Sequence, residues 1–163
     1  MGIEIERRFL VKDDSWRHHA ADGIPFSQGY CPAGHGMLRV RLAGDKAYIT
    51  IKSKTSGCSR SEYEYEIPAQ DAHELLQLVC LGPKICKHRH ELTHNGKLWV
   101  IDVFHDDNDG LIMAEIELNS ENESFAFPPW LGKEVTSDPR YCNAALAANP
   151  YCKWKDQAGA TAI

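Results

Sequence analysis

The sequence predicts a mainly β protein (α+β): a closed, eight-stranded antiparallel β-barrel with a few flanking helices. Three observations carry that prediction. Apolar and charged residues alternate with a period of two, Gly, Asn and Pro turn signals punctuate the alternation, and the charged positions form dense rows of one sign or the other. At 163 residues the chain has the length of one domain. The alternation marks strands at 3–11, 26–31, 36–43, 46–54, 60–68, 83–92, 97–105 and 111–119. Gly44-Asp45 and Asn95-Gly96 are tight-hairpin signals between them. Helical spacing follows Pro68 over 71–81, and further helices are expected over 120–126 and 139–148, the last ended by Asn149-Pro150. Residues 1–155 are expected to form the domain, and the small, weakly patterned residues 156–163 a frayed tail.

Successive strand side chains point to opposite faces, so residues two apart share one. Glu4, Glu6 and Arg8 share a face, as do Arg39 with Arg41, Thr50 with Lys52, and Arg60 with Glu62, Glu64 and Glu66. Lys87 with Arg89, Asp102, and Glu115 with Glu117 complete the rows, each set against Ile, Val, Leu or Ala on the other face. A solvated sheet face normally mixes neutral polar residues, and like charges packed this closely repel one another. Closing eight strands into a barrel removes the open edges and turns these rows toward a shared lumen. Carboxylate rows are neutralised by divalent cations and basic rows by a polyanion. One ligand carries both: a metal-bound polyphosphate.

Composition excludes several other classes. The net charge of −5 argues against nucleic acid as a partner. No apolar run approaches the ~20 residues of a membrane span, and the first residues lack a secretory core, so a cytoplasmic location without membrane attachment is expected. The six cysteines include no C-x-x-C pair and are read as free thiols. His88 and His90 straddle Arg89 and so lie on the outer face, and neither they nor His18-His19 have companions at zinc spacing. The four tryptophans are read as packing groups.

The stretch Glu4-Ile5-Glu6-Arg7-Arg8 resembles the Glu-x-Glu-x-Lys signature of the CYTH superfamily, the triphosphate tunnel metalloenzymes. The resemblance continues in family order through Gln28-Gly29-Tyr30, Leu38-Arg39-Val40-Arg41, Thr50-Ile51-Lys52-Ser53 and Ser59-Arg60-Ser61-Glu62-Tyr63-Glu64. It resumes at Lys87-His88-Arg89, Asp102-Val103-Phe104, Glu115-Ile116-Glu117, Gly132-Lys133-Glu134-Val135-Thr136 and Arg140-Tyr141-x-Asn143. Arg8 stands where the family usually has Lys, exchanging a compact charge for a planar fork.

The resemblance, to the short bacterial inorganic triphosphatases above all, implies metal-dependent hydrolysis of tripolyphosphate to pyrophosphate and phosphate. Its alternatives on the same fold are a class IV-type adenylate cyclase, a thiamine triphosphatase and a non-catalytic polyphosphate-binding module. It implies phosphate binding by Arg8, Arg39, Arg41, Lys52, Arg60, Lys87 and Arg89, and Mg²⁺ or Mn²⁺ held by Glu4, Glu6, Glu62, Glu64, Asp102, Glu115 and Glu117. Lys52 beside Tyr30 is the expected catalytic pair, on the reasoning that a lysine among cations in a partly dry tunnel has a lowered pKa. The partner is thus a small-molecule polyphosphate. The oligomeric state stays open, a homodimer included.

Overall fold

The computed structural model describes residues 2–54 and 59–158, and only the backbone of residues 2–4, 59, 60 and 158. The strands are β1 (Gly2–Val11), β2 (Ile24–Ala33), β3 (Gly36–Ala43), β4 (Lys46–Lys52) and β5 (Ser59–Ile67). They continue with β6 (Ile85–His94), β7 (Lys97–Phe104), β8 (Ile112–Glu117) and β9 (Leu131–Glu134). The helices are α1 (Ala69–Leu78), α2 (Asn143–Ala148) and α3 (Lys155–Ala158). Asn95 and Gly96, at φ +47° and +75°, supply the two left-handed residues a tight β6–β7 hairpin requires.

Neighbouring strands run in the order β5-β4-β3-β2-β6-β7-β8-β1, and β1 then pairs back onto β5. The closing seam pairs Gly2 with Glu62 and Glu4 with Arg60, antiparallel like the other pairings. The eight strands therefore form a ring, as the alternation predicts. The short β9, outside the expected set, lies against the far half of β1, next to Phe9 and Val11. Gly132 permits that approach, because a Cβ there would stand 2.8 Å from the Leu10 carbonyl oxygen.

The apolar faces mostly point outward, toward two covering layers. On one side Phe9, Trp99, Ile101 and Ile116 pack under Trp16, Trp130 and Leu131. On the other, Val40 and Ala47 pack under Ala72, Leu76 and Cys80 at α1. Three expected helical segments differ in detail. The first starts two residues earlier and ends three earlier than 71–81. Residues 120–126 form bends and extended chain instead of a helix. There the Glu123 carboxylate accepts from the Asn119 amide at 2.6 Å and pairs with Lys97, while Phe125 packs edge-on against Trp99. Asn and Ser side chains compete with helical hydrogen bonding, and Pro128 forces the preceding residue toward extended backbone.

The segment 139–148 is broken at Cys142, whose extended backbone separates a 3-10 turn (Pro139–Tyr141) from α2. Instead of covering the outer wall, it packs Tyr141 and Leu146 against Ile85, Phe104, Met113, Leu10 and Tyr30. Ile85 shares its face with Lys87, Leu10 with Arg8 and Met113 with Glu115, so this core lies inside the ring and plugs one end of it. Trp16, Trp99, Trp130 and Trp154 are all core residues. Among the described residues the cysteines are free, while Cys58 lies outside them, as does the expected tail beyond residue 158. No described helix is long and apolar enough to cross a membrane.

Candidate active site

The inward rows converge on a cavity of about 490 Å³, within the range that holds small ligands. Five cations line it, Arg39, Arg41, Lys52, Lys87 and Arg89, with five carboxylates, Glu6, Glu62, Glu64, Glu115 and Glu117. A second chamber of about 290 Å³ shares Glu6, Arg39, Lys52 and Asn143 with it, and adds Arg8, Tyr30, His35 and Cys142. Glu4 and Arg60 face each other across the β1–β5 seam, and their side chains lie outside the described structure.

The charges are sorted into two networks. On β3–β5, Arg39 donates to Glu64 at 2.9 Å and to Thr50 at 3.1 Å, Arg41 donates to Glu64 at 3.1 Å, and Lys52 donates to Glu62 at 2.6 Å. Thr50, fully buried, also donates to Glu64 at 2.8 Å. Two of the expected metal ligands thus act in this structure as clamps on cations. On β6–β8, Asp102 is fully buried and takes two bonds from Arg89 (2.8 and 2.7 Å) and one from Lys87 (2.6 Å). Burial opposes ionisation of Asp102, but Arg89 and Lys87 outweigh it and hold the carboxyl far below its usual range. With both oxygens occupied and no share in the cavity wall, Asp102 stands behind the cations rather than among metal donors.

Lys87 differs from the other basic groups. It is 3% exposed, and burial pushes its ammonium down to about 8, against the pull of Asp102. Its Nζ also donates to Asn143 Oδ1 at 3.0 Å, and that oxygen accepts from Gln28 Nε2 at 3.3 Å. The same Gln28 nitrogen donates to the Tyr30 hydroxyl at 2.6 Å. Tyr30 is therefore linked to Lys87 through Gln28 and Asn143, while Lys52 is held by Glu62. A lysine with a lowered pKa does stand in this lumen, at Lys87. Gln28 and Asn143 belong to recognised stretches, yet nothing in their spacing announces a relay, because α2 brings Asn143 in from 115 residues away.

Three arginines keep a buried donor in reserve. Nε of Arg8, Arg39 and Arg41 is buried without a hydrogen-bond partner among the described residues. A buried donor left unmade is costly, so such atoms mark places where an acceptor belongs. Arg41 is also pushed down to about 10, first by burial and then by Arg39, an excess of positive charge that a polyanion would relieve. Arg8 Nη1 lies 3.1 Å from Cys142 Sγ, and its Nε lies 3.8 Å from Glu6.

Register also brings carboxylates together on β1 and β8. Glu6 and Glu117 are direct register partners, and Glu115 faces Arg8 two positions on. No three described His, Cys, Asp or Glu side chains stand together as a complete metal cage.

A paired-charge lumen inside an eight-stranded ring is a specific arrangement, and residues 2–151 match the family model described as the CYTH domain. The chain belongs to the CYTH family. It is 45% identical over 157 residues to an inorganic triphosphatase of Acetivibrio thermocellus, covering 96% of this chain and all of that one. It is 38% identical over 149 residues to an inorganic triphosphatase of Nitrosomonas europaea, covering 88% and 96%. A solved crystal structure of an inorganic triphosphatase superposes with a TM-score of 0.64 at 35% identity, covering 90% of this chain and 95% of that one. These matches span nearly the whole of each relative.

Proposed function

We propose that this chain hydrolyses inorganic triphosphate to pyrophosphate and phosphate inside its barrel, with Mg²⁺ or Mn²⁺ as cofactor. The observation that carries the reading is a set of cavity-lining arginines, Arg8, Arg39 and Arg41, whose buried Nε donors have no partner among the described residues, in walls that also hold carboxylates. Arg8, Arg39, Arg41, Lys52 and Arg89 bind phosphate oxygens through charge-assisted bonds, with Arg60 assigned by its strand position alone. Glu62 and Glu64 orient these cations. Glu6 and Glu117, with Glu115 and Glu4 nearby on the same strands, hold the metal. When bound, the metal neutralises phosphate charge and acidifies water.

Lys87, as its neutral amine, takes the proton of the attacking water, and the Asn143–Gln28–Tyr30 chain fixes where its hydrogens point. This assignment replaces Lys52, which acts as a phosphate-binding cation. A cytoplasmic setting fits the free thiols among the described residues. The uncharged part of the cavity wall is Leu98, Val100, Leu118, Asn119 and Asn143, and no aromatic side chain among the described residues lines it, which favours the inorganic substrate over ATP or thiamine triphosphate.

The test is phosphate release from tripolyphosphate, ATP, thiamine triphosphate and pyrophosphate, with Mg²⁺, Mn²⁺ or chelator. Fastest release from tripolyphosphate, abolished by chelator, is expected. Faster release from ATP, cyclic AMP formation, or binding without turnover would each overturn the reading.

A further inference from the structure

Two aromatic rings stand behind the basic wall, and neither lines the cavity. The guanidinium carbons of Arg41 and Arg89 lie 5.1 and 5.2 Å from the centre of the Phe26 ring, and Lys87 Nζ lies 5.9 Å from it. Arg41 is also 5.1 Å from the centre of the Tyr48 ring. Strand register builds this arrangement: Phe26 is the direct partner of Lys87, and Tyr48 of Arg41.

Buried cations need compensation, and there are two ways to supply it. A carboxylate neutralises the charge and then competes with an anionic ligand for the same donors. An aromatic face attracts the cation through its quadrupole, leaving the net charge in place. Arg41 shares its carboxylate partner Glu64 with Arg39, and its Nε has no partner among the described residues. It is an under-neutralised guanidinium held against two rings.

We propose that Phe26, assisted by Tyr48, is a positioning residue that aims Arg41 at the cavity without neutralising it. The inference rests on the triphosphatase reading, because the anion is what Arg41 awaits. It accounts for two aromatic side chains set on inward strand faces beside charges.

The test compares Phe26→Leu, Phe26→Tyr and Tyr48→Leu in the full chain. Leu retains apolar bulk and removes the ring, whereas Tyr restores the ring. Phe26→Leu is expected to raise KM for triphosphate, and to weaken calorimetric binding of metal-free triphosphate, by about threefold to thirtyfold. The accompanying fall in kcat is expected to be smaller, and Phe26→Tyr is expected to return KM to near wild type. Tyr48→Leu is expected to move KM the same way by less, since its ring meets one cation; it decides the matter if Phe26→Leu does not fold. A wild type that neither binds nor hydrolyses triphosphate overturns the functional reading and this inference together. A wild type that does both, with unchanged KM in the Leu variants, overturns the inference alone. So does a loss that falls on kcat only or is not rescued by Phe26→Tyr, since that would mark a purely structural ring.

Discussion

Lys87→Met is expected to lower kcat by about 10² to 10⁴, the usual contribution of a positioned general base, while the protein still folds. Asp102 would keep both of its bonds from Arg89, so the variant leaves no uncompensated carboxylate. The wild-type pH profile carries a second signature. With Lys87 pushed down to about 8, kcat/KM is expected to rise with pH through an inflection near 8. In kcat the inflection moves upward, because bound triphosphate favours the ammonium. Lys87→Arg keeps the charge and is expected to remove the inflection. Between about 8 and the ordinary lysine value of 10.5 the unfolded chain binds more protons than the folded one, so unfolding free energy rises with pH across that window. An inflection that persists in Lys87→Met and vanishes in Lys52→Met would return the base to Lys52.

Asp102→Asn is expected to give the largest loss of stability. It leaves Lys87 and Arg89 as neighbouring buried cations, and removing one partner of a buried pair costs about 3–5 kcal/mol. For a chain of this size that corresponds to a fall in Tm on the order of 6–20 °C. Because its folded pKa lies below the usual carboxylate range, the wild-type Asp102 stabilises the protein at neutral pH, and that contribution disappears as acid protonates it. The variant should therefore differ least from wild type in strong acid. Asp102 also raises the proton affinity of Lys87, so the activity that remains should show its inflection at lower pH than wild type. A Tm within 2 °C of wild type, judged against an uncertainty of about that size, would contradict the clamp.

The ring was legible because its signal is local: charged residues two apart on strand after strand have few ways to be accommodated except around a shared interior. Arg39, Arg41, Lys52, Lys87, Arg89, Glu6, Glu115 and Glu117 all reach the cavity wall for that reason. What escaped the sequence depends on distant parts of the chain. Lys52 and Lys87 are both buried, and they differ in the company that distant parts of the chain bring: Glu62 beside Lys52, and Asp102 with Asn143 from the plug beside Lys87. Asp102 reads as a possible metal ligand until its register partner, Arg89, is seen to occupy it. The helix expected over 120–126 fails because Asn119 and Glu123 satisfy one another locally and Pro128 follows. Phe26 and Tyr48 carry no mark in the alternation, since an inward aromatic is as compatible with plain packing as with holding a cation.

The most direct measurement is a crystal structure of the chain soaked with inorganic triphosphate. The account predicts the anion inside the barrel, with oxygens within hydrogen-bond distance of Nε of Arg39 and Arg41, the donors left unpartnered without it. Triphosphate seated only on the outer surface, with both Nε atoms still unpartnered, would contradict it.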